Sequence, residues 1–246
     1  MERRRHLISH IKFPISKTNM VSPYYQDSHV TLYHGDCREV LPHLEMSDCL
    51  ITDPPFGIGF EYENGKELHN NSDDYYGWLC ELLQLAETKL NAGAFMAVWQ
   101  AQLYFKHFWQ VFGDDIHIYC AAKNFVQLRK TAINYGYDPV VMKYKCGEHL
   151  KPIKPKRNLD FFVSNTAAIV SNTKRIEKAH PCPRPLDVVL EIMKNFSIGT
   201  VLDPFAGSGT TLLAARQLNR KAIGIELEEK YCEVIANRMR QEVLSL

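Results

Sequence analysis

The sequence predicts an α/β protein built on a doubly wound, mostly parallel sheet with helices on both faces. Three observations predict it. Short apolar runs suited to strands alternate with amphipathic stretches at helical spacing. Two of the strand-like runs end abruptly in polar, turn-forming motifs, "DPPF" at 53–56 and "DPFAGSGTT" at 203–211. The chain has 246 residues, 46% hydrophobic and 23% charged, which fits one globular domain with a small insertion.

The elements follow in order. Residues 30–33 (VTLY) and 48–52 (DCLIT) read as strands, with "GDCREVLPHL" forming a helical turn or two between them. The stretch 57–74 is polar, contains glycine and lacks periodicity, so it reads as a mobile loop with Asp73, Asp74 and Tyr75 solvated in or beside it. Trp78, Leu79, Leu82, Leu83 and Leu90 recur at helical spacing up to a stop at Gly93, and "AFMAVW" (94–99) follows as a buried strand. A helix over about 101–112 and a strand over 116–121 continue the alternation. From Lys145 to Asp160, "KCGEHLKPIKPKRNLD" has two prolines, a run of Lys and Arg, and too little apolar material for a core strand. It reads as an inserted recognition loop. Order returns at Pro185, where "LDVVLEIMKNF" is an amphipathic helix ending near Gly199. The strand TVLD then runs into the glycine turn and a helix, KAIGIE forms a strand, and a last helix opens with Glu228 and Glu229 and closes with Arg238 and Arg240, as the helix dipole favours. The chain therefore divides into an N-terminal tail (1–19) and a single domain (20–246), whose two halves, 30–142 and 179–246, flank an insertion of about 143–178.

Composition excludes several classes. No apolar run approaches the roughly 18 residues of a membrane span, and the basic N-terminus lacks the apolar core of about 7–15 residues found in a signal peptide. The expectation is a soluble, cytoplasmic protein. Seven cysteines without a Cys-x-x-Cys pair and ten scattered histidines argue against zinc, disulfide and other metal frameworks. The net charge of +1 is unevenly divided: Cys120 to Lys178 holds twelve Lys and Arg against four Asp and Glu, net +8, leaving 17 against 24, net −7, elsewhere. A basic segment on an acidic protein is an electrostatic footprint for a polyanion.

Two motifs carry chemistry. In Asp53-Pro54-Pro55-Phe56 the prolines fix φ, remove donors and hold the preceding residues extended. A carboxylate and a main-chain carbonyl are thereby held rigidly beside an aromatic face. In the second motif, Gly207 and Gly209 let the main chain pass close to a ligand at a helix N-terminus. A Gly-Lys-Ser/Thr signature is absent, as is the third glycine of the dinucleotide fingerprint. Glu226 ends the next strand, where a carboxylate commonly takes the two hydroxyls of a ribose, so a nucleoside cofactor is implied. Ser208 lacks the Gly-x-Ser-x-Gly spacing of a nucleophile elbow.

The pair Asp-Pro-Pro-Phe and Asp-Pro-Phe-x-Gly-Ser-Gly-Thr, in that order with a basic insertion between them, resembles the amino-group DNA methyltransferases, in the circularly ordered group whose catalytic motif precedes the cofactor motif. The resemblance runs from about Val30 to Arg240. It implies a Rossmann-like fold, S-adenosylmethionine as cofactor and double-stranded DNA as partner, in a restriction-modification or phage setting. Asp53, Pro54, Pro55 and Phe56 would be catalytic, with Asp53 and the Pro54 carbonyl accepting the amine hydrogens and Phe56 stacking on a flipped base. Asp-Pro-Pro favours adenine N6 over cytosine N4. "HGDCREVL" resembles the family's Gly-Asp motif, placing Asp36 at the cofactor's adenine. "HPCPRP" (180–185) resembles the element at its methionine end, with Arg184 in the cationic place. Asp203, Phe205, Gly207, Gly209, Thr210 and Glu226 complete the cofactor set. The two motif strands are expected to be neighbours at the switch point.

Arg129, Lys130, Lys143, Lys145, Lys151, Lys154, Lys156 and Arg157 are the candidate DNA contacts. Tyr135, Tyr137 and Tyr144, interleaved with Lys143 and Lys145, read either as a DNA-contacting stretch or as a buried edge strand. Residues 1–19 read as a tail in preference to a phosphate-touching arm. Phe56 stands where tyrosine is commoner in the family, and the short insertion implies limited sequence recognition and leaves homodimerisation open. Rival readings are transfer to RNA or to a protein amide, and an inactive nucleic-acid-binding relative.

Overall fold

The computed structural model describes residues 21–56, 72–102, 105–123, 136–145, 159–164 and 184–243. The chain begins with the short β1 (Tyr25–Gln26) and β2 (Val30–His34), then the single turn α1 (Cys37–Val40) continued by a 3-10 turn at Leu41–His43. Next come β3 (Ser47–Thr52), α2 (Ser72–Glu87), β4 (Leu90–Trp99), α3 (Phe105–Phe112) and β5 (His117–Lys123). After β6 (Tyr137–Tyr144) and β7 (Phe161–Ser164) the chain closes with α4 (Leu186–Phe196), β8 (Val201–Asp203), α5 (Thr210–Gln217), β9 (Ala222–Glu226) and α6 (Glu229–Val243). Among the described residues no helix is long and apolar enough to cross a membrane.

Among the described residues the strands lie in one sheet, ordered β1-β2-β9-β8-β3-β4-β6-β5-β7. From β2 to β4 the neighbours run parallel, whereas β6 is antiparallel to both β4 and β5. β8 and β3 are adjacent, yet the chain leaves them in opposite directions, through α5 to β9 on one side and through α2 to β4 on the other. Such a reversal opens a crevice beyond the carboxyl ends of the strands, where ligands bind in this class of sheet.

Both faces are covered. Cys49 and Ile51 join a buried cluster with Val188, Val189 and Ile192 of α4, Leu212 and Leu213 of α5, and Cys232 and Ile235 of α6. Leu50 points the other way, into a cluster with Leu79, Leu82 and Leu83 of α2 and Phe108 and Phe112 of α3. Burial on two sides is why DCLIT is apolar throughout its centre instead of alternating. Each fully buried Leu or Ile contributes roughly 1.5–3 kcal/mol.

The structure corrects several boundaries. α2 ends at Glu87, and Leu90 opens β4 opposite Ser47; its match to helical spacing is coincidental. Gly93 is no helix stop. It lies inside β4 with φ +73°, where the register slips between Ser47↔Leu90 and Cys49↔Phe95, and its left-handed backbone permits that bulge. The helix α2 starts at Ser72, so residues 73–75 are helical and Tyr75 is buried; acidic residue types suit a helix start as well as a loop. Tyr137–Tyr144 is an interior strand between β4 and β5, with Val140, Val141 and Met142 fully buried. The expected insertion is not wholly outside the sheet either, since β6 runs to Tyr144 and β7 pairs with β5 as the outermost strand. An edge strand needs few apolar residues, and Phe161-Phe162-Val163 suffice. The expected loop at 57–71, the tail at 1–19 and Tyr135 lie outside the described residues.

Candidate active site

β3 ends on Thr52, and the chain passes at once into Asp53-Pro54-Pro55-Phe56. Pro54 is buried, while Asp53 and Phe56 are half-buried. Arg184, just ahead of α4, grips the Asp53 carboxylate with two parallel bonds: its Nε donates to Oδ2 at 2.5 Å and its Nη2 to Oδ1 at 2.8 Å. Nη1 of the same guanidinium donates to Asp138 Oδ2 at 2.9 Å. Its central carbon lies 5.1 Å from the Phe56 ring centroid, a cation–π contact. Burial pushes the Asp53 carboxyl upward; Arg184 opposes that shift and Asp138 adds to it.

The second motif sits one strand away. β8 ends at Asp203, which is buried and accepts from the Thr52 hydroxyl at 2.7 Å and from the Phe205 amide at 3.1 Å. Burial raises the Asp203 carboxyl to about 6 despite those bonds. Gly207 and Gly209 both take left-handed backbone, φ +53° and +78°, and Gly209 caps α5, whose first residue is the buried Thr210. A side chain at Gly209 would be strained by its φ and would come within 3.0 Å of Ile235. The Gly207 N–H donates to Glu226 Oε2 and the Glu228 N–H to Oε1, at 2.8 and 2.9 Å. The carboxylate at the end of β9 is thus locked to the glycine turn. Burial raises it to about 7. Phe205 lies with its ring 5.8 Å from that of Trp78 on α2.

Asp36 follows β2, caps α1 through the Arg38 N–H at 2.9 Å, and is held below the usual carboxylate range chiefly by the Arg38 side chain. His34 is registered with Glu226, and the Gly35 N–H donates to the Glu226 carbonyl at 2.9 Å, so Asp36 follows just beyond the end of that strand pair. Asp36, Glu226, Asp203 and Asp53 therefore form a row across four adjacent parallel strand ends, and β6, running antiparallel, adds Asp138 from its beginning. An acidic edge of this kind favours a cationic ligand.

Sequence reasoning did not single out Thr52, the cross-strand tie, or Asp138. One signal was there for Asp138: like Asp53 it precedes a proline. Two of the basic candidates are placed elsewhere. Lys143 pairs with Glu87, and Lys145 donates to the carbonyls of Glu87 and Leu90, with distances of 2.5 Å for Lys143 and of 2.8 and 2.5 Å for Lys145. Because β6 runs downward, both ammonium groups sit at the opposite edge of the sheet from Asp53, holding the start of β4 and the end of α2. Arg129, Lys130, Lys151, Lys154, Lys156 and Arg157 lie outside the described residues.

The DNA methylase family of the N6/N4 type matches residues 47–238, from the first residue of β3 into α6. The type II methyltransferase M.ScaI of Streptomyces caespitosus is 28% identical over 94% of this chain and 88% of its own length. M.BamHI of Bacillus amyloliquefaciens is 26% identical over 90% of this chain, a match that spans 60% of that protein. Among solved structures, the PvuII DNA methyltransferase (cytosine-N4-specific) has a TM-score of 0.69 over 87% of this chain and 88% of that one, at 18% identity. M1.HpyAVI in complex with SAM has a TM-score of 0.59 over 85% and 99%, at 22% identity. Those two likenesses show a shared fold. The chain belongs to the N6/N4 DNA methylase family. The family is one of DNA methylases, and M1.HpyAVI, a protein of the same fold, was solved with SAM bound.

Proposed function

We propose that this protein methylates the exocyclic N6 amine of an adenine flipped out of double-stranded DNA, within a specific sequence and in the manner of a restriction-modification enzyme. One observation carries the reading: a proline-stiffened aspartate at the end of β3 stands one strand from the glycine turn of β8, joined to it by the Thr52–Asp203 bond.

The residues suit the cofactor. Glu226 stands ready for ribose hydroxyls, Asp36 for the adenine amine, Phe205 for the adenine face, and the acidic edge for a sulfonium cation. When bound, S-adenosylmethionine supplies an electrophilic methyl group. The chain's own residues prepare the nucleophile. An exocyclic amine is a poor one because its lone pair is delocalised into the ring; Asp53 and the Pro54 carbonyl each accept one amine hydrogen, drawing the nitrogen toward tetrahedral geometry. With a methyl donor bound, the nitrogen held by these acceptors would take the methyl group, and its extra proton would leave through Asp53 or water. Preorganised acceptors of this kind contribute roughly 2.7–4 kcal/mol each to lowering a barrier. Phe56 stacks on the base and offsets part of the roughly few kcal/mol needed to unstack it. Phosphate contacts come from the basic segment beyond β6, so that binding to non-cognate DNA weakens steeply with salt.

A second reading, transfer to cytosine N4, draws on the likeness to the cytosine-N4-specific PvuII enzyme. Asp53 at the first position of the motif favours adenine. Transfer of a labelled methyl group to unmethylated genomic DNA, followed by nucleoside analysis, separates the two. N6-methyladenine supports the proposal and N4-methylcytosine replaces it.

A further inference from the structure

Asp138 belongs to neither motif. It reaches the site only because β6 is antiparallel to β4 and brings its first residues to the edge where β3 ends. We propose that Asp138 is a positioning residue for methyl transfer: it anchors one edge of the Arg184 guanidinium so that the other edge fixes the plane of the Asp53 carboxylate. The inference rests on the assignment of Asp53 as the acceptor of the target amine.

A guanidinium presents its N–H donors in a rigid plane. Here two of them, on Nε and Nη2, go to the two oxygens of Asp53, and one on Nη1 goes to Asp138. The three side chains retain 17%, 26% and 21% of their exposure for Arg184, Asp53 and Asp138, so solvent screens the contacts only partly. Charge-assisted bonds in such a setting are among the stronger polar contacts. A carboxylate has about four lone-pair sites, two on each oxygen. The fork from Arg184 uses one on each, which leaves the others in the carboxylate plane for the amine.

Both aspartates are built alike. Asp53 precedes Pro54 and Asp138 precedes Pro139, and a residue before proline is confined to extended backbone. Pro139 is registered with Cys120 on β5, and its carbonyl accepts from the Gln100 N–H at 3.0 Å. The anchor is therefore tied to strands on both sides. Arginine has several rotatable bonds, and a second carboxylate on its far edge limits how far the guanidinium turns with the one it grips. With Asp138 in place, the orientation of the amine acceptor is set from a strand outside both motifs. The Phe56 ring, beneath the same guanidinium, is aligned by the same anchor.

The test uses the full-length enzyme and its Asp138→Asn, Asp138→Glu, Arg184→Met and Asp138→Asn/Arg184→Met variants. Single-turnover methyl transfer to unmethylated genomic DNA is measured at saturating cofactor, alongside cofactor affinity by calorimetry and Tm. D138N is expected to slow transfer by about 10- to 100-fold, the scale of a small misplacement of reacting groups, with a much smaller change in cofactor affinity. Tm stays within about 2 °C of wild type, less than roughly 1 kcal/mol for a chain of this size. D138E recovers part of the rate. Because Asp138 acts through Arg184, D138N adds nothing further in the R184M background. Wild-type rates in D138N, or its full loss repeated on top of R184M, overturn the proposal. If the wild-type enzyme methylates no DNA at all, the functional reading fails, and the crystal structure of D138N with S-adenosylmethionine decides the positioning claim alone. Arg184 turned away from Asp53 supports it; Arg184 still forked onto Asp53 contradicts it.

Discussion

The Thr52 hydroxyl donates to Asp203 across 2.7 Å, a buried bond between residues 151 positions apart that joins the end of β3 to the end of β8. Thr52→Val keeps the shape and removes the donor, leaving a buried carboxyl one partner short. Unfolding by denaturant is expected to show a loss of about 1–3 kcal/mol. Cofactor affinity falls with it, because the Asp203 carboxyl also orders the Phe205 amide at the entrance to the glycine turn. Thr52→Ser restores both. A T52V protein as stable and as tight-binding as wild type would mean that the two strand ends are held by packing alone.

Asp53→Ala removes one amine acceptor and is expected to reduce transfer by about 100- to 1,000-fold, the range for a single well-aimed polar group. Cofactor affinity, measured separately, stays close to wild type, since Asp53 faces Arg184 and the target rather than the glycine turn. Equal losses of rate and affinity would move Asp53 into the cofactor site.

Glu226 gives the protein a pH dependence of defined sign. Its carboxyl is raised from 4.5 to about 7, mainly by burial. The folded chain thus holds this proton more tightly than the unfolded chain. The stability it contributes is fully present below the unfolded value and lost as pH rises through the folded one. Asp203, raised to about 6, acts in the same sense. Tm of the ligand-free protein is expected to fall between about pH 5 and about pH 8, and Glu226→Gln flattens that slope. Cofactor affinity runs the other way, rising as Glu226 ionises and becomes the better acceptor for ribose hydroxyls. A slope unchanged in E226Q would assign it to other groups.

Gln100, just past β4 at the same edge, is buried, and among the described residues neither its amide oxygen nor its amide nitrogen meets a hydrogen-bond partner. An unmet buried polar group costs about 1–3 kcal/mol. Gln100→Met, apolar and of similar length, is therefore expected to raise Tm. A lower Tm would show that the amide finds a partner in solution.

Much of the sheet was legible because its central strands are short, apolar and punctuated: VTLY, DCLIT, TVLD and KAIGIE each end in a turn signal. Their order was not, since no local pattern states that β8 lies beside β3; the resemblance supplied it. Errors arose where one residue type serves two purposes. Gly93 reads as a stop and is a bulge, Leu90 fits a helical stripe and opens a strand, and Lys143 and Lys145 look like phosphate ligands but hold the bottom of the sheet. Asp138 was hidden for a deeper reason. Its role depends on β6 running against its neighbours, a property of the whole topology that the proline after it does not state.

The most direct test of the central claim is the identity of the methylated nucleoside after incubation of the enzyme with S-adenosylmethionine and unmethylated double-stranded DNA. N6-methyladenine is expected from the wild-type protein, and that product is expected to be lost in the Asp53→Ala variant. N4-methylcytosine in its place, or an undiminished yield of N6-methyladenine without the Asp53 carboxylate, would contradict that claim.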